Sequence, residues 1–279
     1  MSSYDLIAMD MDGTVLNSRK EITKEVAQSI HRVLKCGMEA VFCTGRAHAE
    51  MGSFLDAFPD MHYLIAESGA YVYDLQAHTL LFHAVIPHED LVKIFEVVGD
   101  RDIMPAVFSD GRYVANEDQI DRLAHYQMAP YAKSTREIAD TVKNLQNEVL
   151  VNHIPVEKLN LYHTSPGDRE RTMKMLKERG VGAALVYSEV SSLECSPPGI
   201  DKGTALEKLS HSVGLAPERI IMVGDADNDL AALRFAGMAV AMGNANSNVQ
   251  RACGMIVADN DHDGCAQAIR ELMLQETSE

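Results

Sequence analysis

Tryptophan is absent from the 279-residue chain, and cysteine occurs only at positions 36, 43, 195, 253 and 265. An odd, scattered set with no Cys-x-x-Cys pair argues against a disulfide framework or a zinc ribbon, and it reads as reduced core residues of a cytoplasmic protein. Basic residues are short as well: Lys+Arg 25 stand against Asp+Glu 41, for a net charge of −16. With no basic cluster anywhere, the composition speaks against nucleic acid or an anionic membrane as partner. No apolar run reaches the roughly 20 residues of a membrane helix. Asp5, Asp10 and Asp12 interrupt the N-terminal stretch, so it does not read as a signal peptide. A small-molecule partner remains, and the oligomeric state stays open.

What the chain does have is a 46% apolar content, ample for a core, and two acidic motifs that each follow an apolar run. Leu6-Ile7-Ala8-Met9 leads into Asp10-Met11-Asp12-Gly13-Thr14, and Ile220-Ile221-Met222-Val223 leads into Gly224-Asp225-Ala226-Asp227-Asn228-Asp229. Each run reads as a buried strand. If the two strands are neighbours in a parallel sheet, Asp10, Asp12 and Asp225 meet in the crevice above their carboxyl ends. Such carboxylates cannot all stay ionised without a cation, and Mg²⁺ suits hard oxygen donors while keeping positions open for a phosphoryl oxygen.

The surrounding pattern predicts α/β structure. Thr23 caps a helix with Val26, Ile30 and Val33 on one face, Gly37 closes it, and Met38 to Cys43 follows as a strand ending at Thr44-Gly45-Arg46. Tyr63 to Ala66 reads as a third strand. The same grammar returns after residue 200, with a helix over 203–213, the strand at 220, and two further helix and strand pairs before a last helix around 265–274. Between about residues 82 and 195 the pattern changes. Leu91, Ile94, Phe95 and Val98 mark an amphipathic helix, Asp110-Gly111 joins two apolar segments as a hairpin, and Leu159 and Leu161 alternate with polar residues. The expected class is a doubly wound, mainly parallel Rossmann-like core over 1–82 and 196–279, with an inserted α+β cap domain over 83–195.

Four motifs in this order resemble the haloacid dehalogenase superfamily of phosphatases, and within it the Cof-type subfamily with a large class II cap. They are Asp10-Met11-Asp12-Gly13-Thr14, Thr44-Gly45-Arg46, Lys202 within Gly199-Ile200-Asp201-Lys202-Gly203, and Gly224-Asp225-Ala226-Asp227-Asn228-Asp229. The resemblance covers essentially the whole chain. It implies that Asp10 is the nucleophile that forms an aspartyl-phosphate and that Asp12 protonates the leaving oxygen and then deprotonates the attacking water. It implies Mg²⁺ held by Asp10, the main-chain carbonyl of Asp12 and Asp225, with Asp229 acting through water or as a supporting acceptor. Thr44, Gly45 and Lys202 bind phosphoryl oxygens in this reading, Arg46 is a phosphate contact or a structural arginine, and Asn228 contacts the phosphoryl group or orients Asp225. Thr14 is expected to bond loop backbone.

Only 34 residues separate Asp10 from Thr44, while 158 separate Thr44 from Lys202, so the cap belongs in the second interval. A lid there would exclude water and read the leaving group. One departure from the pattern is Ser68-Gly69, after Glu67, where relatives carry Asn-Gly. The activity implied is Mg²⁺-dependent removal of phosphate from small phosphorylated metabolites, sugar phosphates or phosphorylated cofactors. A phosphomutase and a phosphometabolite-binding regulator without turnover are the competing readings. Glu194 and Asn244 read as structural, and the histidines show no ligand spacing.

Overall fold

The computed structural model describes residues 3–188 and 190–274. These fall into two compact units, one of residues 3–46, 53–82 and 200–274, the other of residues 47–52, 83–188 and 190–199. The short segment 47–52, which lies next to Arg46 in sequence, thus groups with the second unit.

In the first unit the strands are β1 (Leu6–Met9), β2 (Glu39–Cys43), β3 (Tyr63–Ala66), β4 (Tyr71–Asp74) and β5 (Thr79–His83). The second unit carries β6 (Ile103–Ser109), β7 (Arg112–Asn116), β8 (Ala139–Val142), β9 (Lys158–His163), β10 (Ala184–Ser188) and β11 (Ser192–Ser196). The chain returns to the first unit with β12 (Ile220–Gly224), β13 (Met238–Ala241) and β14 (Met255–Ile256).

The first sheet runs in the order β14-β13-β12-β1-β2-β3-β4-β5. Its centre is parallel: β1 pairs with β12, Leu6 opposite Ile220, and with β2, Leu6 opposite Glu39. Leu6, Ile7, Ala8 and Met9 are all fully buried, as expected of a strand covered on both faces, where alternation gives way to an unbroken apolar run. The helix Lys24–Lys35 makes the crossover from β1 to β2. Thr23 Oγ1 accepts the Val26 N–H at 3.2 Å, and Val26, Ile30 and Val33 bury its inner stripe. The antiparallel strand β4, which pairs with β3, extends the sheet beyond the strands expected from sequence. At four and five residues, β4 and β5 are too short to offer a strong periodic signal.

The second unit is a six-stranded sheet, β10-β11-β9-β6-β7-β8, antiparallel except where β7 meets β8. Asp110 and Gly111 both adopt positive φ, 52° and 76°, as a two-residue hairpin between right-twisted strands requires. On one face Leu159, Leu161, Leu193 and Val107 pack with Leu91, Ile94 and Phe95 of the helix His88–Val98 and with Met173 and Leu176 of the helix Pro166–Glu178. The alternating polar residues of β9 would be solvated in a one-sided sheet. Instead Lys158, Asn160 and Tyr162 are buried, because a second apolar cluster, including Ile120, Leu123, Tyr126 and Met128, covers that side. Lys158 is paired there with Glu194 at 2.8 Å, which makes Glu194 the structural residue expected from sequence.

Candidate active site

The adjacency of β1 and β12 brings the two acidic motifs together at one end of the sheet. The Asp10 N–H donates to Val223 O at 3.0 Å. Gly13 turns the loop at φ +90°, and a Cβ built there would lie 2.4 Å from Asp225 Oδ2, so only glycine admits this approach. Thr14 was expected to bond loop backbone; instead its hydroxyl donates to Asp225 Oδ1 at 3.1 Å, a bond available only because β1 and β12 are neighbours. Carboxylate oxygens of Asp10, Asp225 and Asp229 lie within 4.8 Å of one another.

Lys202 enters this cluster as the first residue of the helix Lys202–Val213, which Asp201 caps by accepting the Thr204 N–H at 2.8 Å. Although only 1% exposed, its ammonium donates to Asp10 Oδ1 at 2.5 Å and to Asp229 Oδ1 at 2.6 Å. The other oxygen of Asp229 accepts the N–H groups of Asp225 and Ala226 at 3.0 and 3.1 Å. Asp229 therefore anchors both the lysine and the loop that carries Asp225. Burial pushes the Asp10 carboxyl up to about 7 against the pull of Lys202, while the carboxylates of Asp10 and Asp229 offset desolvation and raise Lys202, keeping it cationic. Burial and the charge of Asp229 likewise raise Asp225.

Asp12 faces elsewhere. Arg46 grips it with two bonds, Nε to Oδ2 at 2.7 Å and an Nη to Oδ1 at 2.9 Å, and Lys20 Nζ adds a third at 2.6 Å. Burial alone would raise this carboxyl, but the guanidinium and ammonium overcome it and hold it down to about 2. Arg46 is thus bound to the second aspartate of the first motif, a partner absent from its sequence reading. Lys20 carried no sequence signal at all, being one exposed lysine in a polar loop.

Thr44 is buried, and its Oγ1 accepts the Arg46 N–H at 3.1 Å while its carbonyl accepts the Ser68 N–H at 3.1 Å. Gly45 sits against Ser68, and a Cβ there would lie 3.3 Å from Ser68 Oγ. At Gly69, with φ +100°, a Cβ would fall 2.2 Å from Asp201 O, so the departure at Ser68 preserves the glycine on which the approach to Lys202 depends. Asn228 is exposed, and Thr14 and Asn244 are among the side chains that meet Asp225. Asn244 Nδ2 donates to Gly13 O at 2.9 Å and lies 3.5 Å from Asp225 Oδ2, a role its isolated Gly-Asn-Ala context did not signal.

A second group of ligand-capable atoms, from His83, Asp110 and Glu157, meets in the other unit. Glu157 links them: its Oε2 accepts the main-chain N–H of Asp110 at 3.1 Å, and His83 Nδ1 lies 3.3 Å from its Oε1. Among the described residues no helix is long and apolar enough to cross a membrane.

Two curated relatives match almost end to end. Pyridoxal phosphate phosphatase YbhA of Escherichia coli is 25% identical, with 95% of this chain and 97% of that protein aligned. The 5-amino-6-(5-phospho-D-ribitylamino)uracil phosphatase YcsE of Bacillus subtilis is 26% identical over 96% of each. A crystal structure from Thermotoga maritima superposes with a TM-score of 0.84 at 25% identity, covering 96% of this chain and 97% of that one. Residues 7–269 match the family described as haloacid dehalogenase-like hydrolase. The doubly wound sheet, the ordered motifs and this match agree: the chain belongs to the haloacid dehalogenase-like hydrolase family and is a phosphoric monoester hydrolase.

Proposed function

We propose that the protein removes phosphate from small phosphorylated metabolites, sugar phosphates or phosphorylated cofactors, through an aspartyl-phosphate on Asp10 with Mg²⁺ as resident cation. The observation that carries the reading is the convergence of Asp10, Asp225 and Lys202, three residues remote in sequence, at one buried point. The two relatives named for a cofactor phosphate and a pyrimidine-derived phosphate support the substrate class.

The donor set fits Mg²⁺. Asp10, Asp225 and the main-chain carbonyl of Asp12 are hard oxygen ligands, and three carboxylates against one ammonium leave an excess of negative charge. Bound there, the cation supplies the charge that lets an anionic nucleophile meet an anionic phosphoryl group.

In the first step an Asp10 carboxylate oxygen attacks phosphorus, the ester P–O bond breaks, and the leaving oxygen takes a proton from Asp12. In the second, water attacks phosphorus, gives its proton to Asp12, and Asp10 is restored as phosphate departs. Lys202 favours the ionised form of Asp10 against its burial and orients it, and Thr14 and Asn244 hold Asp225. Gripped by Arg46 and Lys20, Asp12 is a carboxylate, the form that serves as base; donating a proton requires it to leave those ion pairs. Leaving-group choice is assigned to the inserted unit.

The test is phosphate release from p-nitrophenyl phosphate and a metabolite panel, with Mg²⁺ or with EDTA. We expect turnover with Mg²⁺, loss in EDTA and loss in Asp10→Asn. Full turnover by Asp10→Asn, or none by the wild type with any divalent cation, overturns the reading.

A further inference from the structure

Lys20 stands in a closed turn of the first unit, the unit that also carries Asp12 and Arg46. The Asn17 N–H donates to Glu21 O at 3.0 Å, and the Lys20 N–H donates to Asn17 O at 2.9 Å. The buried Asn17 side chain accepts the N–H groups of Arg19 and Glu21 at 3.0 Å each. A second loop ties the turn down: Asp261 Oδ1 accepts the Ser18 N–H at 2.8 Å, and Asn260 Nδ2 donates to Leu16 O at 2.9 Å.

Within this turn Lys20 adopts φ +62°, in the left-handed region. A lysine Cβ is crowded there, and glycine would take the same backbone without the clash. Strain retained where glycine fits better points to a use for the side chain. The Lys20 ammonium meets Asp12 Oδ1 at 2.6 Å.

Stability is a poor account of that contact, because the two side chains are 57% and 39% exposed and water screens the pair. Geometry is a better one. A carboxylate offers about four lone-pair sites, two on each oxygen. Arg46 Nη2 and Lys20 Nζ take those of Oδ1 at 2.9 and 2.6 Å, and Arg46 Nε takes one of Oδ2 at 2.7 Å. The site left over is on Oδ2.

Of the two tasks of Asp12, this pose suits one. Taking a proton needs a charged oxygen held in place with a free lone pair, whereas giving one needs a neutral carboxyl, on which both cations lose their hold. We propose that Lys20 is a positioning residue for the second step, holding Asp12 so that the free lone pair of Oδ2 receives a proton from the water that attacks the aspartyl-phosphate, an inference that rests on the phosphatase reading. In that step the water oxygen bonds phosphorus, the P–O bond to Asp10 breaks, and the water proton goes to Asp12.

The experiment uses the full-length protein with Mg²⁺ and radiolabelled p-nitrophenyl phosphate, stopped by rapid quenching in acid, which preserves an acyl phosphate. Formation of labelled enzyme, and its decay after a chase with unlabelled substrate, are timed separately. Because p-nitrophenolate leaves as a stable anion, formation needs no proton from Asp12. Lys20→Gly should slow decay about tenfold and leave formation unchanged. It should unfold on heating no earlier than the wild type, since glycine accepts the turn. Lys20→Arg, which restores a cation, should recover most of the decay rate. Decay at the wild-type rate in Lys20→Gly, formation slowed as much as decay, or Lys20→Arg as slow as Lys20→Gly overturns the proposal. A wild type that never becomes labelled would instead sink the aspartyl-phosphate reading itself.

Discussion

Lys202 Nζ bridges Asp10 Oδ1 and Asp229 Oδ1 at 2.5 and 2.6 Å in a place closed to solvent. Removing it leaves carboxylates buried without a counter-charge, which costs about 3 kcal/mol or more. Lys202→Met should therefore lower the urea midpoint markedly and also abolish turnover. Added Mg²⁺ should recover part of the stability but not the rate. A variant as stable as wild type in EDTA would show that the lysine contributes nothing to the fold.

Gly13 tests the close approach of the two motifs. In Gly13→Ala the Cβ meets Asp225 Oδ2 and the backbone keeps a positive φ, a strain of about 1–3 kcal/mol. Thermal unfolding should fall accordingly, and kcat should drop by roughly 100-fold as Asp225 is displaced. Retained activity would mean that the loop relaxes freely.

Asp12 provides the pH test. Its folded-state pKa is depressed to about 2 by Arg46 and Lys20 against burial, so the stabilisation is present above the ordinary carboxylate value of about 3.9 and is lost as pH falls through about 2. Asp12 and Lys20 are both more than a third exposed, so solvent screening keeps the energy small. Arg46→Met should move the Asp12 titration up toward about 3.9, read by carboxyl NMR, and shift the acid limb of the rate profile the same way. No shift would mean that the ion pairs do not persist in solution.

His163 makes an acid-side prediction of the same sign for the second unit, in a higher pH range. Burial lowers its pKa, so below about 6.5 the unfolded chain binds a proton that the folded one refuses, and stability falls with pH. Between pH 7 and 5 the wild type should lose more thermal stability than His163→Gln. Equal losses would remove the imidazole as the cause.

The unbroken apolar runs at 6–9 and 220–223 identified buried parallel strands, because a strand covered on both faces needs no polar alternation. The Thr23 cap, the Asp110-Gly111 turn and the four ordered motifs were equally legible, since each depends on local chemistry. Arg46 and Lys20 on Asp12, Thr14 and Asn244 on Asp225, and the burial of the polar face of β9 were decided only by the tertiary structure. Sequence by itself determined which residues carry oxygen, charge and left-handed turns. Which of them became partners followed from strand order, because contacts between residues more than 200 positions apart exist only once the sheet sets β1 beside β12.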